Sequence, residues 1–183
     1  MRGALNVLAA AVVLTIPLAA HTNPPMRVVE SLDLSKYAGR WYEIARLPNR
    51  FQDQCAGDVM AHYTLRSDGR MDVVNRCRTA AGNVDEARGI ARKAGDGSST
   101  ARLEVRFAPA IVSLFSGGWG DYWVIGLGPD YTWAVVGTPN RQNLWILSRT
   151  PTLSAASYAR ALEVARGNGF DVTRLVQTTN AAQ

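Results

Sequence analysis

Histidine is almost missing from this chain of 183 residues, which has only His21 and His62. Cysteine is as scarce, with Cys55 and Cys77 alone, and lysine falls to Lys36 and Lys93 among 20 basic residues. A structural or catalytic zinc site needs three or four His, Cys or carboxylate ligands at characteristic spacings, and no such cluster is present. His21 falls next to an apolar leader. His62 stands in an alternating segment, out of phase with Ala61, Tyr63 and Leu65, so it reads as a solvated outward side chain. A Ser-His-Asp set cannot be assembled from one outward histidine. The carboxylates Glu43, Asp72, Glu104 and Asp121 alternate with apolar residues, as outward sites do. No catalytic residue, metal or cofactor is therefore expected.

Runs of like charge are also lacking. The formal net charge is +5, but the arginines are spread at alternate positions, as in Arg102-Leu103-Glu104-Val105-Arg106-Phe107. That is the pattern of a solvated sheet face rather than a nucleic-acid surface, so nucleic acid is not an expected partner. Long apolar runs are confined to the start. From Leu5 to Ala20 the chain is Ala, Val, Leu and Ile, broken only by Asn6, Thr15 and Pro17. This stretch is short for a membrane span and reads as a secretory leader over 1–20, behind Arg2 and ending in Ala19-Ala20. Pro24-Pro25 then marks an extended linker over 21–33. No cysteine lies near the expected cut, so the lipid-attachment site of a lipoprotein is not expected. The localisation that follows is periplasmic or secreted.

Beyond the linker, strand-like segments follow one another with turn signals at short spacing, the pattern of an all-β barrel or sandwich. The expected strands are 39–46, 59–65, 70–78, 85–92, 101–107, 121–127, 131–137 and 144–149. Ser67-Asp68-Gly69 is a hairpin signal, with a glycine free to take positive φ. One helix is expected over 155–166, capped by Ser154, rich in Ala, Leu, Glu and Arg, and stopped by Gly167 and Gly169. Its residues Tyr158, Ala161, Leu162 and Ala165 share a face that should pack outside the sheet. A short terminal strand over 171–177 ends a single domain over 34–178, leaving a tail at 179–183. Eight strands can close a barrel with room for one small ligand.

Three segments narrow this further. Gly39-Arg40-Trp41-Tyr42-Glu43-Ile44-Ala45-Arg46 places a glycine two residues before a tryptophan at the start of a strand. Asp130-Tyr131 sits in a Gly-Pro-Asp turn, and Leu144-Trp145-Ile146-Leu147-Ser148-Arg149 closes the last long strand. In this order they resemble the signature segments of the lipocalin family. Their wording is most similar to the bacterial outer-membrane lipocalins and their relative apolipoprotein D, over roughly 34–176. The resemblance implies an eight-stranded up-and-down antiparallel barrel with one C-terminal flanking α-helix. In that topology Gly39, Trp41, Asp130, Tyr131 and Arg149 meet at one end. There Arg149 is expected to stack on Trp41 as a structural plug.

The other end would be an open cup. Alternation turns Ala61, Tyr63, Leu65, Met71, Val73, Asn75, Leu103, Val105 and Phe107 inward, and the family pattern adds Tyr122, Val124, Ala134, Val136, Trp145 and Leu147. The expected ligand-binding set is Tyr63, Val73, Asn75, Leu103, Val105, Phe107, Tyr122, Val124, Val136 and Trp145. The resemblance implies a non-catalytic role in binding, storing or carrying a fatty acid or lysophospholipid in the bacterial envelope. The head group would lie near Asn75, Arg50 or Arg78. An interior filled by its own side chains is the alternative for the cup. Cys55 and Cys77 both fall at the mouth, where an oxidising compartment favours a disulfide over two buried thiols. Two other functions stay open: a lipocalin-type isomerase or oxidoreductase using a free thiol, and an interaction module. The second would use the apolar connection 108–119, which suits a membrane surface, a homodimer contact or a plug folded into the cup.

Overall fold

The computed structural model describes residues 24–95, 97, 99–107 and 118–181. The leader expected over 1–20 and nearly all of the apolar connection 108–119 lie outside the described residues.

A single turn of helix, α1 (Leu34–Tyr37), precedes the first strand, with the Asp33 carboxylate accepting from the Ser35 and Lys36 amides. The strands are β1 (Gly39–Arg46), β2 (Cys55–Leu65), β3 (Met71–Thr79), β4 (Val84–Lys93), β5 (Arg102–Phe107), β6 (Gly120–Leu127), β7 (Trp133–Gly137) and β8 (Leu144–Ser148). Each pairs antiparallel with the next, and β1 joins β8 on one side and β2 on the other, so the barrel closes. Closure removes the exposed edges that an open sheet would present. The strand expected to begin at Tyr131 begins at Trp133, because Pro129–Tyr131 forms a 3-10 turn. In it Asp130 and Tyr131 both take positive φ, 50° and 58°, and left-handed residues cannot extend a strand.

β2 also starts earlier than expected, at Cys55, and two register shifts against β3 accommodate the added residues. β1 pairs with β2 only from Gly39 to Tyr42; beyond that point it turns to β9 (Val176–Gln177). The Asp58 amide then donates to the Thr179 carbonyl. The C-terminal segment thus fills the slot between β1 and β2 at the upper end of the barrel.

Two apolar clusters result. Inside the barrel, Tyr37, Trp41, Met71, Leu103, Val124 and Val136 form a dry lower layer. Outside it, α2 (Ala155–Gly167) sets Ala161 and Ala165 against Val135, Ile146 and Phe170. Gly126 is the reason α2 seats so closely: a methyl there would stand 2.8 Å from Val164 Cγ1. A register shift in β1 between Glu43 and Ala45 divides that strand between the clusters. Trp41 and Glu43 face the interior, while Ala45 packs under the helix.

Candidate lipid-binding cup and its sealed floor

The lower end of the barrel is built from the glycine–tryptophan opening. Gly39 takes a φ of 95°, a conformation glycine adopts without strain. It brings the Trp41 indole into the interior, where the ring is fully buried and its Nε1 donates to the Tyr37 carbonyl at 2.8 Å. The Arg149 guanidinium lies 3.8 Å from the centre of the indole ring. Its nitrogens donate to the carbonyls of Arg40 at 2.9 Å, Lys36 at 2.6 Å, Tyr37 at 3.3 Å and Tyr131 at 3.3 Å. One cation therefore ties α1, β1 and the Asp130–Tyr131 turn together. The Tyr131 hydroxyl accepts from the Asp33 amide at 3.0 Å, so this turn also holds the start of α1. Burial lowers the Arg149 pKa from its ordinary value, opposed by its attraction to Tyr37.

Above this seal, three phenols meet. The Tyr37 and Tyr122 hydroxyl oxygens are 2.7 Å apart, and those of Tyr63 and Tyr122 are 2.9 Å apart. Desolvation pushes all three pKa values up, that of Tyr63 to about 12. Tyr63 and Tyr122 form the floor of a cavity of about 1080 Å³, measured out to the solvent at its mouth. Val73, Val105, Phe107, Ala61, Ala87 and Leu147 supply apolar wall. A cleft with apolar walls and a few polar groups is the usual form of a small-molecule site.

The mouth is more polar. Cys55 and Cys77 are joined in a disulfide with Cα atoms 5.5 Å apart, and both line the rim. Asn75 lines it as well, and its Oδ1 has no hydrogen-bond partner among the described residues. The Trp145 Nε1 donates to Gln52 Oε1 at 2.8 Å, and Gln52 Nε2 donates to Glu43 Oε2 at 2.6 Å. The other Glu43 oxygen accepts from Arg46 at 3.1 Å and from the Thr178 hydroxyl. Among the described residues, no group of three or more His, Cys, Asp or Glu side chains is placed to hold a metal.

The chain matches known relatives. The family model of the lipocalin-like domain fits residues 32–180. This protein belongs to the lipocalin family. It is 40% identical over 154 residues to temperature-induced lipocalin-1 of Arabidopsis thaliana, covering 84% of this chain and 82% of the relative. It is 37% identical over 175 residues to the outer membrane lipoprotein Blc of Escherichia coli K12, with 94% of each chain covered. Among solved structures, insecticyanin of Manduca sexta aligns with a TM-score of 0.67 at 21% identity, over 87% of each chain, which speaks for the fold alone.

In this lipocalin the residues expected to line the cup fall in two layers. Tyr63, Val73, Asn75, Val105, Phe107, Tyr122 and Trp145 border the cavity. Leu103, Val124 and Val136 point inward but lie below it, at most 2% exposed, in the layer filled by Trp41 and Tyr37. Alternation along a strand assigns a face and carries no information on depth. Leu65, at the lower end of β2, is 40% exposed and contributes to neither layer.

Two expectations are corrected. Glu43, read as outward, is 2% exposed and borders the cup. It is two residues from Trp41 on the same strand, and therefore shares its inward face. Its buried charge is tolerated because Arg46, Gln52 and Thr178 occupy the carboxylate. The head-group expectation is narrowed: Asn75 borders the cavity, while Arg50 is exposed on a 3-10 turn outside the lining and Arg78 pairs with Asp58 at 2.6 Å. Gln52 and Phe51, which border the mouth, come from a loop with no periodicity to reveal them.

Proposed function

We propose that this protein reversibly binds a lipophile carrying a single acyl chain, a fatty acid or a lysophospholipid, without altering it, in the periplasm or outside the cell. The observation that carries this reading is the cup: apolar walls of Val73, Val105, Phe107 and Leu147, closed below by tyrosines and open above. Each buried methylene contributes about 0.8 kcal/mol. About fifteen of them supply roughly 12 kcal/mol, of which about 4 offset the cost of immobilising the chain and about 8 remain, the free energy of roughly micromolar affinity. A disulfide at the rim suits an oxidising compartment. A thiol-dependent isomerase would need a free cysteine, and the Cys55–Cys77 bond holds both.

Mass spectrometry of lipid extracted from periplasmically produced protein identifies the ligand class. The decisive variant is Val105→Glu, which sets a carboxylate against the chain on the inner wall, where an unpaired charge is costly. It should remain folded, because the open mouth admits water, and should lose binding of a fluorescent fatty acid. The control is His62→Glu, on the exposed outer face of β2 beside Arg40, Arg76 and Arg88, which should bind normally. Equal binding by wild type and folded Val105→Glu would remove the acyl chain from this cup.

A further inference from the structure

The floor of the cup holds one more hydrogen-bond donor than it can use. Tyr37, Tyr122 and Tyr63 carry one phenolic proton each, and the chain of contacts between them has two links. Each link consumes one proton, so one O–H remains without a phenol to receive it. No other hydrogen bond to these hydroxyls exists among the described residues. If Tyr37 kept the spare proton it would be stranded in the dry layer beside Trp41, since Tyr37 is fully buried and does not border the cavity. Leaving a buried donor unsatisfied is costly. The arrangement that avoids this has Tyr37 donating to Tyr122. The spare proton then falls to Tyr122 or Tyr63, both of which border the cavity and are more than nine-tenths buried.

The same floor has nothing to balance a charge. The only cationic residue among the described residues lining the cup is Arg76, an exposed side chain engaged by Glu86 at 2.5 Å. A carboxylate or phosphate driven to the floor would lose its hydration with no cation to replace it. A neutral oxygen, by contrast, accepts the spare proton at no such penalty.

We propose that the cup selects an oxygenated lipophile, whose inward end carries a neutral acceptor such as a keto or hydroxyl oxygen that bonds to the Tyr63–Tyr122 pair. This rests on the acyl-chain reading above and adds the polarity of the buried end. A plain chain entering methyl-first places its terminus against an unpaired donor. A chain with an oxo group next to its terminal methyl satisfies it. Sites built around a buried polar group reject the analogue that leaves the group unpaired.

The test compares a saturated fatty acid with the oxo acid of equal length, the keto group next to the terminal methyl, by displacement of a fluorescent fatty acid. Wild type should bind the oxo acid about tenfold tighter, the factor expected from satisfying one buried donor. Proton counting adds a sharper expectation. Tyr63→Phe alone should keep the preference, because Tyr37 still donates to Tyr122 and Tyr122 still presents a spare proton. Replacing all three tyrosines by phenylalanine should abolish it and tighten binding of the plain acid. Equal binding of the two acids by wild type would overturn the inference while leaving the acyl-chain reading in place. So would a preference that survives in the triple variant or vanishes in folded Tyr63→Phe. If neither acid binds wild type, the acyl-chain reading falls as well. Should the triple variant fail to fold, replacing Tyr63 and Tyr122 together by phenylalanine, which leaves no phenol bordering the cavity, should abolish the preference, and a preference that survives in that folded variant would overturn the inference.

Discussion

Arg149→Ala removes the guanidinium that caps the lower end of the barrel, and its cost can be worked from the contacts it loses. Stacking at 3.8 Å from the centre of the Trp41 ring contributes roughly 1–2 kcal/mol where the pair is partly desolvated. The Arg40 and Lys36 carbonyls are exposed and rehydrate in the variant. The part-buried Tyr37 and Tyr131 carbonyls lose about 0.5–1 kcal/mol each. The total is about 3 kcal/mol, which for a chain of this size lowers Tm by roughly 6–12 °C. Thermal unfolding followed by near-ultraviolet circular dichroism reads it directly, because Trp41 contributes to that signal. Arg149→Lys keeps the charge without the planar fan of donors and should lose about half as much. Fatty-acid affinity should stay within about twofold of wild type, since Trp41 and Tyr37 separate the guanidinium from the cup. A Tm within about 2 °C of wild type, or an unchanged Tm with lost binding, would refute the structural role.

Thiol titration of unfolded, unreduced protein should find no free thiol. Replacing both Cys55 and Cys77 by serine, a bridge with a sequence separation of 22, should destabilise by about 3 kcal/mol in the chain-entropy model. Finding two free thiols would revive thiol chemistry. Alkaline titration of the folded protein, which has six tyrosines, tests the buried triad. Tyr37, Tyr63 and Tyr122 should stay neutral past pH 10 because burial raises their pKa, Tyr63 to about 12. Folded pKa values above unfolded ones mean that this stabilisation is complete below pH 10 and is lost as pH rises toward the folded values. Tyrosinate absorbance and unfolding should then rise together above that range. Full ionisation of all six near pH 10 with the fold intact would contradict the buried triad.

How much of the site could be read in advance follows from what each signal encodes. The plug was legible residue by residue, because Gly39-Arg40-Trp41, Asp130-Tyr131 and Arg149 resemble the signature segments of a family whose up-and-down topology returns them to one end. The disulfide was legible because two cysteines had only each other. The inner face of the walls was legible from alternation, which brought Val73, Val105 and Phe107 to the cup. Glu43 was misread because charge was taken as a sign of outward orientation, against its phase with Trp41. Its partners Gln52, Arg46 and Thr178 come from three separate places in the chain, so no local pattern announces that its charge is satisfied.

The sequence by itself determined the eight strands and the capped helix through period and turn chemistry, while the sealed end was expected from the resemblance of three segments to a family and the paired cysteines from their compartment. Only the tertiary structure decided how deep the cup reaches. Leu103, Val124 and Val136 have the same alternation as Val73 and Val105, yet Tyr37 and Trp41 fill the space around them, and volume is shared among all strands at once. The phenol triad was equally out of reach of local reading. Tyr37, Tyr63 and Tyr122 sit on three separate elements, and two hydrogen bonds join them only once the barrel has closed.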